Sequence, residues 1–334
     1  MSTHMPHILD QLSCARPKVS VAMSTYNHEK FIAQAIESVL AQNVNFDYEI
    51  VVGEDCSTDG TRAVVMDFHR RHPDRIRLLL WDRNVGMMRN GAAIFGACRA
   101  EYLAYLEGDD YWTATDKLQK QVDFLDAHPD RAICCGRARG VYEAGAENSD
   151  VKWDVFPPHP AGTYTVEDIL KGTFVVTCTT VLRRELVPSF PKWYFEMKLG
   201  DWPLWAMIAR FGKIELMDEI MAAYRIHPGG TWSSLPYVTR LDEAARMLRA
   251  LDKELAYQYT EIIRETNATP YLDLARTSRS KGRRIETAKH VVAYIRNGGW
   301  RCPGSARIIA GMITFEVFGS WYKVFSRAKS ANKS

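Results

Sequence analysis

The sequence lacks the phosphate-binding and nucleophile motifs of several large enzyme classes. It contains no Gly-x-x-x-x-Gly-Lys-[Ser/Thr] segment, which argues against a P-loop NTPase. No Gly-x-Gly-x-x-Gly follows the first predicted strand, which argues against a Rossmann dehydrogenase, and no Gly-x-Ser-x-Gly nucleophile elbow is present. If the protein binds a nucleotide, side chains and a metal ion must therefore hold the phosphates in place of a glycine-rich loop.

Cysteine is scarce and long apolar runs are missing. The seven cysteines include no Cys-x-x-Cys pair, so we expect reduced thiols in a cytosolic protein rather than a disulfide framework or a zinc site. The N-terminus has no basic segment followed by an apolar one, which predicts no signal peptide. The longest apolar segment, 308–322, is interrupted by Glu316 and would span only roughly 22 Å as a helix, so we expect no membrane span.

Charge is distributed unevenly along an otherwise ordinary composition. The 334 residues carry a net charge of +3, yet the segment from Arg276 onward holds 13 Lys and Arg and only two Asp and Glu. The preceding residues are correspondingly acidic, with 30 basic and 38 acidic side chains. An acidic body with a basic tail predicts an anionic partner for the tail, either a membrane surface or a nucleic acid.

The first 130 residues predict four units in which a β-strand is followed by a helix. Such repeated units form a mostly parallel sheet with helices on both faces, and its ligands bind beyond the carboxyl ends of the strands. The fold class is therefore α/β and Rossmann-like. The predicted strands are Lys18–Ser24, Tyr48–Val52, Arg75–Trp81 and Glu101–Leu106.

The second half has a looser pattern that ends in a helical, basic extension. We expect an N-terminal arm (1–17), a catalytic domain (18–235, with halves 18–130 and 131–235) and a C-terminal extension (236–334). The further predicted elements are strands at Ala132–Cys135, Phe174–Leu182 and Lys213–Arg225, helices at Asp201–Phe211 and Glu243–Glu265, and a last helix with Ile285, Ala288, Val292 and Ile295 on one stripe.

Three carboxylates follow the fourth predicted strand within the segment Glu107-Gly108-Asp109-Asp110. Adjacent carboxylates repel one another, and a cation between them removes that cost. Oxygen ligands suit Mg²⁺ or Mn²⁺, which keep waters and bridge to phosphates. A solvated turn in which Asp110 caps the next helix is the alternative, and the position at a strand end favours the metal.

Polar residues also follow the first and second strands. Asp55 lies where a carboxylate can accept a hydrogen bond from a nucleobase or a ribose, or it caps the next helix; both interpretations remain open, whereas Asp59 is the better cap. Thr25 and Tyr26 close the first strand and are candidates to flank the same base.

Two further segments contain candidate catalytic side chains. His227 precedes Gly229-Gly230 and Trp232, as expected of a lid that closes over a charged substrate. Asp201 precedes a first helical turn that contains proline, so it is either an N-cap or a general base beside the acceptor.

Taken together, the stretch from Val19 to about Thr231 resembles the inverting glycosyltransferases of family 2, which have the GT-A fold. The matching segments are VSVAMSTYNHEKFIAQAIESVLAQ, YEIVVGEDCSTDGT, RNVGMMRN, YLAYLEGDDYW with KLQKQVDFL, GDWPLW and YRIHPGGTW.

The resemblance implies a role for each matching residue. Thr25, Tyr26 and Asp55 would contact the nucleoside of the donor, and Asn84 and Gly86 would line the nucleotide side of the cleft.

The resemblance also implies that Glu107-Gly108-Asp109 is the metal motif. Asp109 would be the principal metal ligand, and Glu107 or Asp110 would serve the ribose or water ligands. Asp201 would be the catalytic base, and His227 would complete the metal shell or contact the diphosphate. Three residues depart from the family pattern: Glu107 replaces Asp, Cys56 replaces Gly, and Gly200 replaces an acidic residue.

The expected activity is sugar transfer with inversion, assisted by Mn²⁺ or Mg²⁺, from a nucleotide-diphospho-sugar to an acceptor hydroxyl. We expect a UDP-sugar donor, a glycan or lipid-linked acceptor, and a place in surface polysaccharide or glycolipid synthesis. The basic tail, with its interleaved aromatic residues, predicts a peripheral enzyme on the cytoplasmic face of an anionic membrane; a tail packed on the catalytic domain is the alternative, and no nucleic acid is expected. A nucleotidyltransferase that makes nucleotide sugars and a non-catalytic nucleotide-binding module are the rival functions.

Overall fold

The computed structural model describes residues 5–11, 16–146, 154–231, 235–302, 304–306 and 309–310. These residues form two compact units, which divide between Tyr237 and Val238. The first unit is a mixed α/β structure and the second is helical.

The predicted strand-and-helix units form the centre of the first unit. Their four strands are parallel, lie in the order β4-β3-β2-β5, and are buried along almost their whole length. Strands buried on both faces need mostly apolar sequence, which explains why apolar residues dominate these segments. The elements are β2 (Val19–Thr25), α1 (Ile32–Leu40), β3 (Tyr48–Glu54), α2 (Thr61–Arg71), β4 (Ile76–Leu80), α3 (Met87–Ala97) and β5 (Tyr102–Glu107).

The rest of the first unit extends the same sheet. The order is β1-β4-β3-β2-β5-β10-β7-β11-β6, with β8 paired to β7 and β9 paired to β11. β10 is antiparallel to both of its neighbours, β5 and β7, so β7 runs in the same direction as β5. Among the described strands of this extension, only β7 and β11 pair in parallel. The elements are β1 (His7–Leu9), β6 (Tyr111–Trp112), α4 (Lys117–Ala127), β7 (Arg131–Tyr142), β8 (Val155–Phe156), β9 (Gly162–Tyr164), α5 (Val166–Lys171), β10 (Val181–Arg183), α6 (Asp201–Ala209) and β11 (Lys213–Ile226).

The prediction of one strand over Phe174–Leu182 is wrong for most of its length. A 3₁₀ turn occupies Thr177–Thr179, and only Val181–Arg183 forms a strand. The hydroxyl of Thr179 donates to the carbonyl of Val176, and that of Thr180 donates to the carbonyl of Thr177. These local bonds compete with strand pairing, and the apolar pattern of the sequence does not reveal them.

The second unit contains α7 (Tyr237–Glu254), α8 (Thr260–Ser280) and α9 (Arg284–Arg296). The predicted single helix over Glu243–Glu265 is wrong, because the chain turns at Ala256 and Tyr257, both of which have positive φ angles.

The predicted apolar stripe of the last helix is also wrong. Ile285 is 75% exposed and Val292 is 46% exposed, whereas α9 buries Thr287, Val291 and Tyr294. The large ring of Tyr294 and the Val291 side chain pack with residues of α8 in one cluster, and this rotates the buried face by one position.

Other sequence expectations concern cysteines and membrane spans. Of the six cysteines in the described ranges, four are buried, and none of the six forms a disulfide. Within the described part of the chain, no helix is long and apolar enough to cross a bilayer. Cys14, the lid residue Trp232 and the tail aromatics Trp321, Tyr322 and Phe325 lie outside the described residues.

Candidate active site

The carboxyl ends of β2 and β5 lie side by side and form the floor of the candidate site. Ser24 is the register partner of Glu107, and the amide of Gly108 donates to the carbonyl of Ser24 over 2.8 Å. A Cβ at Gly108 would lie 2.8 Å from the hydroxyl oxygen of Thr25 and 2.9 Å from the Thr25 Cβ. Only glycine therefore fits between the two strand ends, and the acidic segment turns directly over Thr25.

Asp109 lies between two imidazoles. Its Oδ2 atom is 3.0 Å from Nε2 of His227 and 3.7 Å from Nε2 of His28. Burial raises the pKa of Asp109, but the two histidines more than offset this and hold its pKa below the usual value. His28 belongs to the loop after β2, and sequence reasoning missed it because a single polar residue in a helix-leading segment gives no signal of its own.

Glu107 is a half-buried residue whose carboxyl group is surrounded by like charges. Burial raises its pKa well above the usual range, and the nearby charges of Asp110 and Asp109 raise it further. Its Oε2 atom is buried and has no hydrogen-bond partner among the described residues. Such an atom is costly in a folded protein and is typical of a site that meets a ligand.

Asp110 turns away from Asp109 and joins the end of β11. It is 2% exposed, and its Oδ1 accepts the backbone N–H of Arg225 over 2.8 Å. Burial and the neighbouring Asp109 raise its pKa well above the usual range. This bond ties the acidic turn to the strand that leads to His227.

Arg225 fixes the acidic turn from the opposite side. Its guanidinium group lies 4.9 Å from the ring centre of Phe31 and 4.6 Å from that of Tyr111, and it donates to the backbone carbonyl of Asp109. The guanidinium group also forms an ion pair with the carboxylate of Glu143, 3.1 Å away. We therefore infer that Arg225 stabilises the acidic turn.

Asp201 is the first residue of α6 and faces the same strand ends. Its Oδ2 accepts the hydroxyl of Thr177 over 3.1 Å, and its Oδ1 accepts the backbone N–H of Trp202 over 2.7 Å. Burial raises its pKa despite these two bonds. The charge of Asp201 also raises the pKa of Glu107, as the charge of Asp109 does. Coulomb interactions weaken with distance, so Asp201 lies within electrostatic reach of Glu107 at the end of β5.

Gly200 has a steric reason to depart from the expected acidic residue. A Cβ at this position would lie 2.4 Å from Sδ of Met88 and 2.9 Å from the hydroxyl of Tyr194. The same hydroxyl donates to the carbonyl of Gly200. A side chain at this position would therefore require the ends of the Met88 and Tyr194 side chains to move.

The predicted nucleoside residues cluster at the ends of β2 and β3. Both carboxylate oxygens of Asp55 accept backbone N–H groups, from Val85 at 2.7 Å and from Gly86 at 2.9 Å. Burial raises the pKa of Asp55. Asp55 thus holds the loop that contains Asn84 and Gly86, and it does not cap α2.

The prediction that Asp59 caps α2 is wrong, because the N-cap is Gly60 and no side chain caps it. Asp59 precedes the N-cap, and its Oδ1 accepts both the N–H and the hydroxyl of Thr61, the first residue of the helix. Tyr26 is 39% exposed and Asn84 is exposed, whereas the hydroxyl of Thr25 is buried without a partner among the described residues.

Comparison with known sequences identifies the family. Residues 20–189 match the profile of Glycosyl transferase family 2, and this segment is half of the chain. The chain belongs to glycosyltransferase family 2. The predicted GT-A class is thereby confirmed.

Relatives of this family 2 protein extend over most of its length. A Mycobacterium tuberculosis protein, Rv1520, is 33% identical over 277 residues, which cover 80% of this chain and 78% of the relative. The Escherichia coli protein WfgD is named a UDP-Glc:alpha-D-GlcNAc-diphosphoundecaprenol beta-1,3-glucosyltransferase. It is 31% identical over 214 residues, 62% of this chain and 77% of its own.

Solved structures share the fold of this family 2 protein. TarS from S. aureus, in complex with UDP-GlcNAc, superimposes with a TM-score of 0.59 at 21% identity and covers 84% of this chain and 81% of its own. The mannosyltransferase PcManGT from Pyrobaculum calidifontis, in complex with GDP-Man and Mn²⁺, gives a TM-score of 0.54 at 16% identity and covers 95% and 86%. These similarities establish the fold alone.

The side chains of the family 2 protein fit a divalent cation that keeps part of its water shell. In the described ranges, no three His, Cys, Asp or Glu side chains are arranged as a complete set of metal ligands. Asp109 and His227 nevertheless offer adjacent oxygen and nitrogen atoms, and Mg²⁺ or Mn²⁺ commonly takes its remaining ligands from water and substrate phosphates. The buried, unpartnered atoms Thr25 Oγ1, His28 Nδ1 and Glu107 Oε2 belong to the same strand ends and favour a polar occupant.

Proposed function

We propose that the protein transfers a sugar from a nucleotide-diphospho-sugar to an acceptor hydroxyl, with inversion and with the help of Mn²⁺ or Mg²⁺. The observation that carries this proposal is the pairing of Asp109 with His227, 3.0 Å apart, beside the buried and unpartnered Oε2 atom of Glu107. The charge of Asp201, from the start of α6, also raises the pKa of Glu107. Family membership supports transferase activity, and the biosynthetic relative WfgD supports a place in surface polysaccharide or glycolipid synthesis.

The donor is a UDP-sugar in this proposal, with its nucleoside against the ends of β2 and β3. Thr25, Tyr26 and Asp55 contact the nucleoside, while Asn84 and Gly86 line the nucleotide side. TarS is in complex with UDP-GlcNAc and PcManGT with GDP-Man, which supports a nucleotide sugar as the donor class. The exposed ring of Tyr26 beside the unpartnered hydroxyl of Thr25 suits a flat, polar base.

Asp109 and His227 are the proposed protein ligands of the cation. Glu107 or Asp110 would accept hydrogen bonds from the ribose or from the water ligands of the cation. A bound divalent cation would neutralise the charge that develops on the departing diphosphate. The Mn²⁺ in the PcManGT complex supports this choice of metal. His28 contributes a second imidazole to the same carboxylate and keeps Asp109 ionised.

Asp201 is the proposed general base. Its carboxylate accepts the proton of the acceptor hydroxyl, and that oxygen attacks the anomeric carbon from the face opposite the diphosphate. The new glycosidic bond forms as the bond to the diphosphate breaks, so a single displacement inverts the anomeric configuration. A raised pKa makes Asp201 a stronger base than an exposed aspartate, which suits this task.

The acceptor is a glycan or a lipid-linked sugar, and the protein works at the cytoplasmic face of the membrane. The excess of positive charge after Arg276 and the exposed ring of Trp300 support contact with an anionic surface. WfgD is named for a diphosphoundecaprenol-linked acceptor, which supports this location. Co-sedimentation with vesicles that contain or lack anionic lipid tests it, and equal binding to both would contradict it.

The function is tested by incubating the protein with UDP-, GDP- and dTDP-sugars and Mn²⁺ while free nucleoside diphosphate is measured. We expect slow release of UDP from a UDP-sugar, because water replaces the missing acceptor. Formation of nucleotide sugar and pyrophosphate from a nucleoside triphosphate and a sugar phosphate would identify a nucleotidyltransferase instead. Binding of donor without any turnover, with or without acceptor, would favour a binding module.

A further inference from the structure

The 3₁₀ turn Thr177–Thr179 connects the two halves of the candidate active site. The sequence pattern predicts a strand here, so none of its side chains is a candidate for function from the sequence. In the structure the turn contacts β5, β7, β11 and β6. Thr177 is 6% exposed and its hydroxyl donates to Oδ2 of Asp201 over 3.1 Å.

The turn is held rigidly from the core side. The side-chain amide of Gln121 donates to the carbonyls of Thr179 at 2.9 Å and Cys134 at 3.0 Å. The Nζ atom of the fully buried Lys117 donates to Oε1 of Gln121 over 2.7 Å, which fixes the orientation of that amide. The hydroxyl of Thr179 also bonds the backbone of Gly136 in β7.

The middle residue of the turn reaches the acidic segment. The indole N–H of Trp112 donates to the carbonyl of Cys178 over 2.7 Å. The Cys178 side chain lies close enough to Asp110 to lower the pKa of that carboxyl group. One turn therefore contacts both Asp110, beside the proposed metal ligand, and Asp201, the proposed base.

The surroundings of Asp201 disfavour a negative charge. The titratable groups that face it are Glu107 and Tyr105 from β5, Tyr194 from the 3₁₀ segment Lys192–Glu196, and Tyr224 from β11. None of these groups is a cation. Three donors favour the ionised carboxylate and lower its pKa against the effect of burial: the N–H of Trp202, the hydroxyl of Thr177 and the backbone N–H of Asp201 itself.

We infer that Thr177 is a positioning residue, which orients Asp201 toward the acceptor and stabilises its ionised form through one hydrogen bond. This inference rests on the proposed role of Asp201 as general base. The backbone N–H of Trp202 belongs to the neighbouring residue and moves with Asp201, so it does not fix the carboxylate relative to the strand ends. Thr177 does so, because its turn is anchored to β7 and α4.

The inference is tested with Thr177→Val, which keeps the shape of the side chain and removes the donor, and with Thr177→Ser, which keeps the donor. Thr287→Val changes a threonine of the helical unit that is 1% exposed and is the matched control. In the valine variant we expect the acidic limb of the kcat–pH profile to move upward by about one pH unit. The free energy of one hydrogen bond corresponds to a pKa change of about that size. The serine and Thr287 variants keep the original profile, and KM for the donor stays unchanged throughout.

A second measurement does not depend on turnover. The carboxyl carbon of Asp201 is followed by NMR in protein labelled at aspartate, with the signal assigned by its absence in Asp201→Asn. An upward shift of its titration midpoint in Thr177→Val and not in Thr177→Ser supports the inference. An unchanged midpoint and an unchanged kcat profile in the valine variant overturn it, while full transfer activity in Asp201→Asn overturns the role of Asp201 itself.

Discussion

The Nε2 atom of His227 lies 3.0 Å from the Oδ2 atom of Asp109, although 118 residues separate them in the chain. The contact exists because Asp110, next to Asp109, accepts the N–H of Arg225, two residues before His227. The end of β5 and the end of β11 are thereby joined at one edge of the sheet. This is the edge at which parallel strands commonly bind ligands.

Asp109→Asn tests the proposed metal site. We expect roughly a 10²-fold to 10³-fold loss of transfer activity, since the amide is a weaker ligand and does not balance the cation's charge. Activity is measured in Mn²⁺, in Mg²⁺ and in excess chelator, and the wild-type protein should lose its activity in chelator and recover it with either metal. Asp116→Asn, at an aspartate beside an exposed lysine, is the control. Wild-type activity that persists in chelator would contradict the metal role.

Asp201→Asn tests the proposed base. The variant keeps the size of the side chain but accepts no proton, so we expect transfer to fall by at least about 10²-fold. Donor affinity, measured by calorimetry with the UDP-sugar and Mn²⁺, should remain within about twofold of the wild-type value. Loss of donor binding together with turnover would show that Asp201 supports the donor site instead.

Glu107→Gln tests how much the ionised carboxyl group of Glu107 lowers the free energy of unfolding. The folded-state pKa of Glu107 is raised, so between about pH 4.5 and that pKa the folded protein holds a proton that the unfolded chain releases. Wild-type stability therefore decreases as the pH rises through this range, and the glutamine variant lacks this decrease. Without metal or nucleotide, we expect Glu107→Gln to be more stable at pH 8 by about 1–3 kcal/mol.

The measurement for Glu107→Gln is the melting temperature as a function of pH in the presence of chelator. The advantage of the variant should be small near pH 5 and should increase toward pH 8. An advantage that stays constant over this range would mean that the charge of Glu107 is not its source.

Cys56→Gly tests the departure from the family pattern. Cys56 has a φ angle of 56°, in the left-handed region that glycine adopts without a steric penalty. We expect the glycine variant to be more stable by up to about 1 kcal/mol, after allowance for the greater freedom of glycine in the unfolded chain. Cys98→Gly is the contrasting control, because Cys98 is buried with a φ angle of −61° and should lose stability. Equal effects of the two substitutions would argue against a backbone origin.

The parallel half of the fold follows directly from local sequence. Each strand from Val19 to Glu107 is a short apolar run that ends in a polar turn, and each helix has a regular apolar face, so local pattern and final structure agree. The second half does not follow in this way. The segment 174–182 and the buried face of α9 depend on hydroxyl-to-backbone bonds and on packing against neighbours, which have no local signature.

The candidate site also combines residues that local sequence predicts with contacts that depend on packing. Asp55, Asp109 and Asp201 are recognisable in the sequence, because each is an acidic residue at the end of a strand or at the start of a helix. The family profile, residues 20–189, covers Asp55 and Asp109, and Asp201 lies beyond it.

The contacts of those acids were decided by tertiary structure alone. Three contacts join segments that are separated in the chain: His28 with Asp109, Thr177 with Asp201, and the Met88 side chain with Gly200. Local sequence specifies which elements form, since propensity and apolar period act over a few residues. Which side chains meet depends on how the strands pair and the helices pack, and only the folded chain determines that.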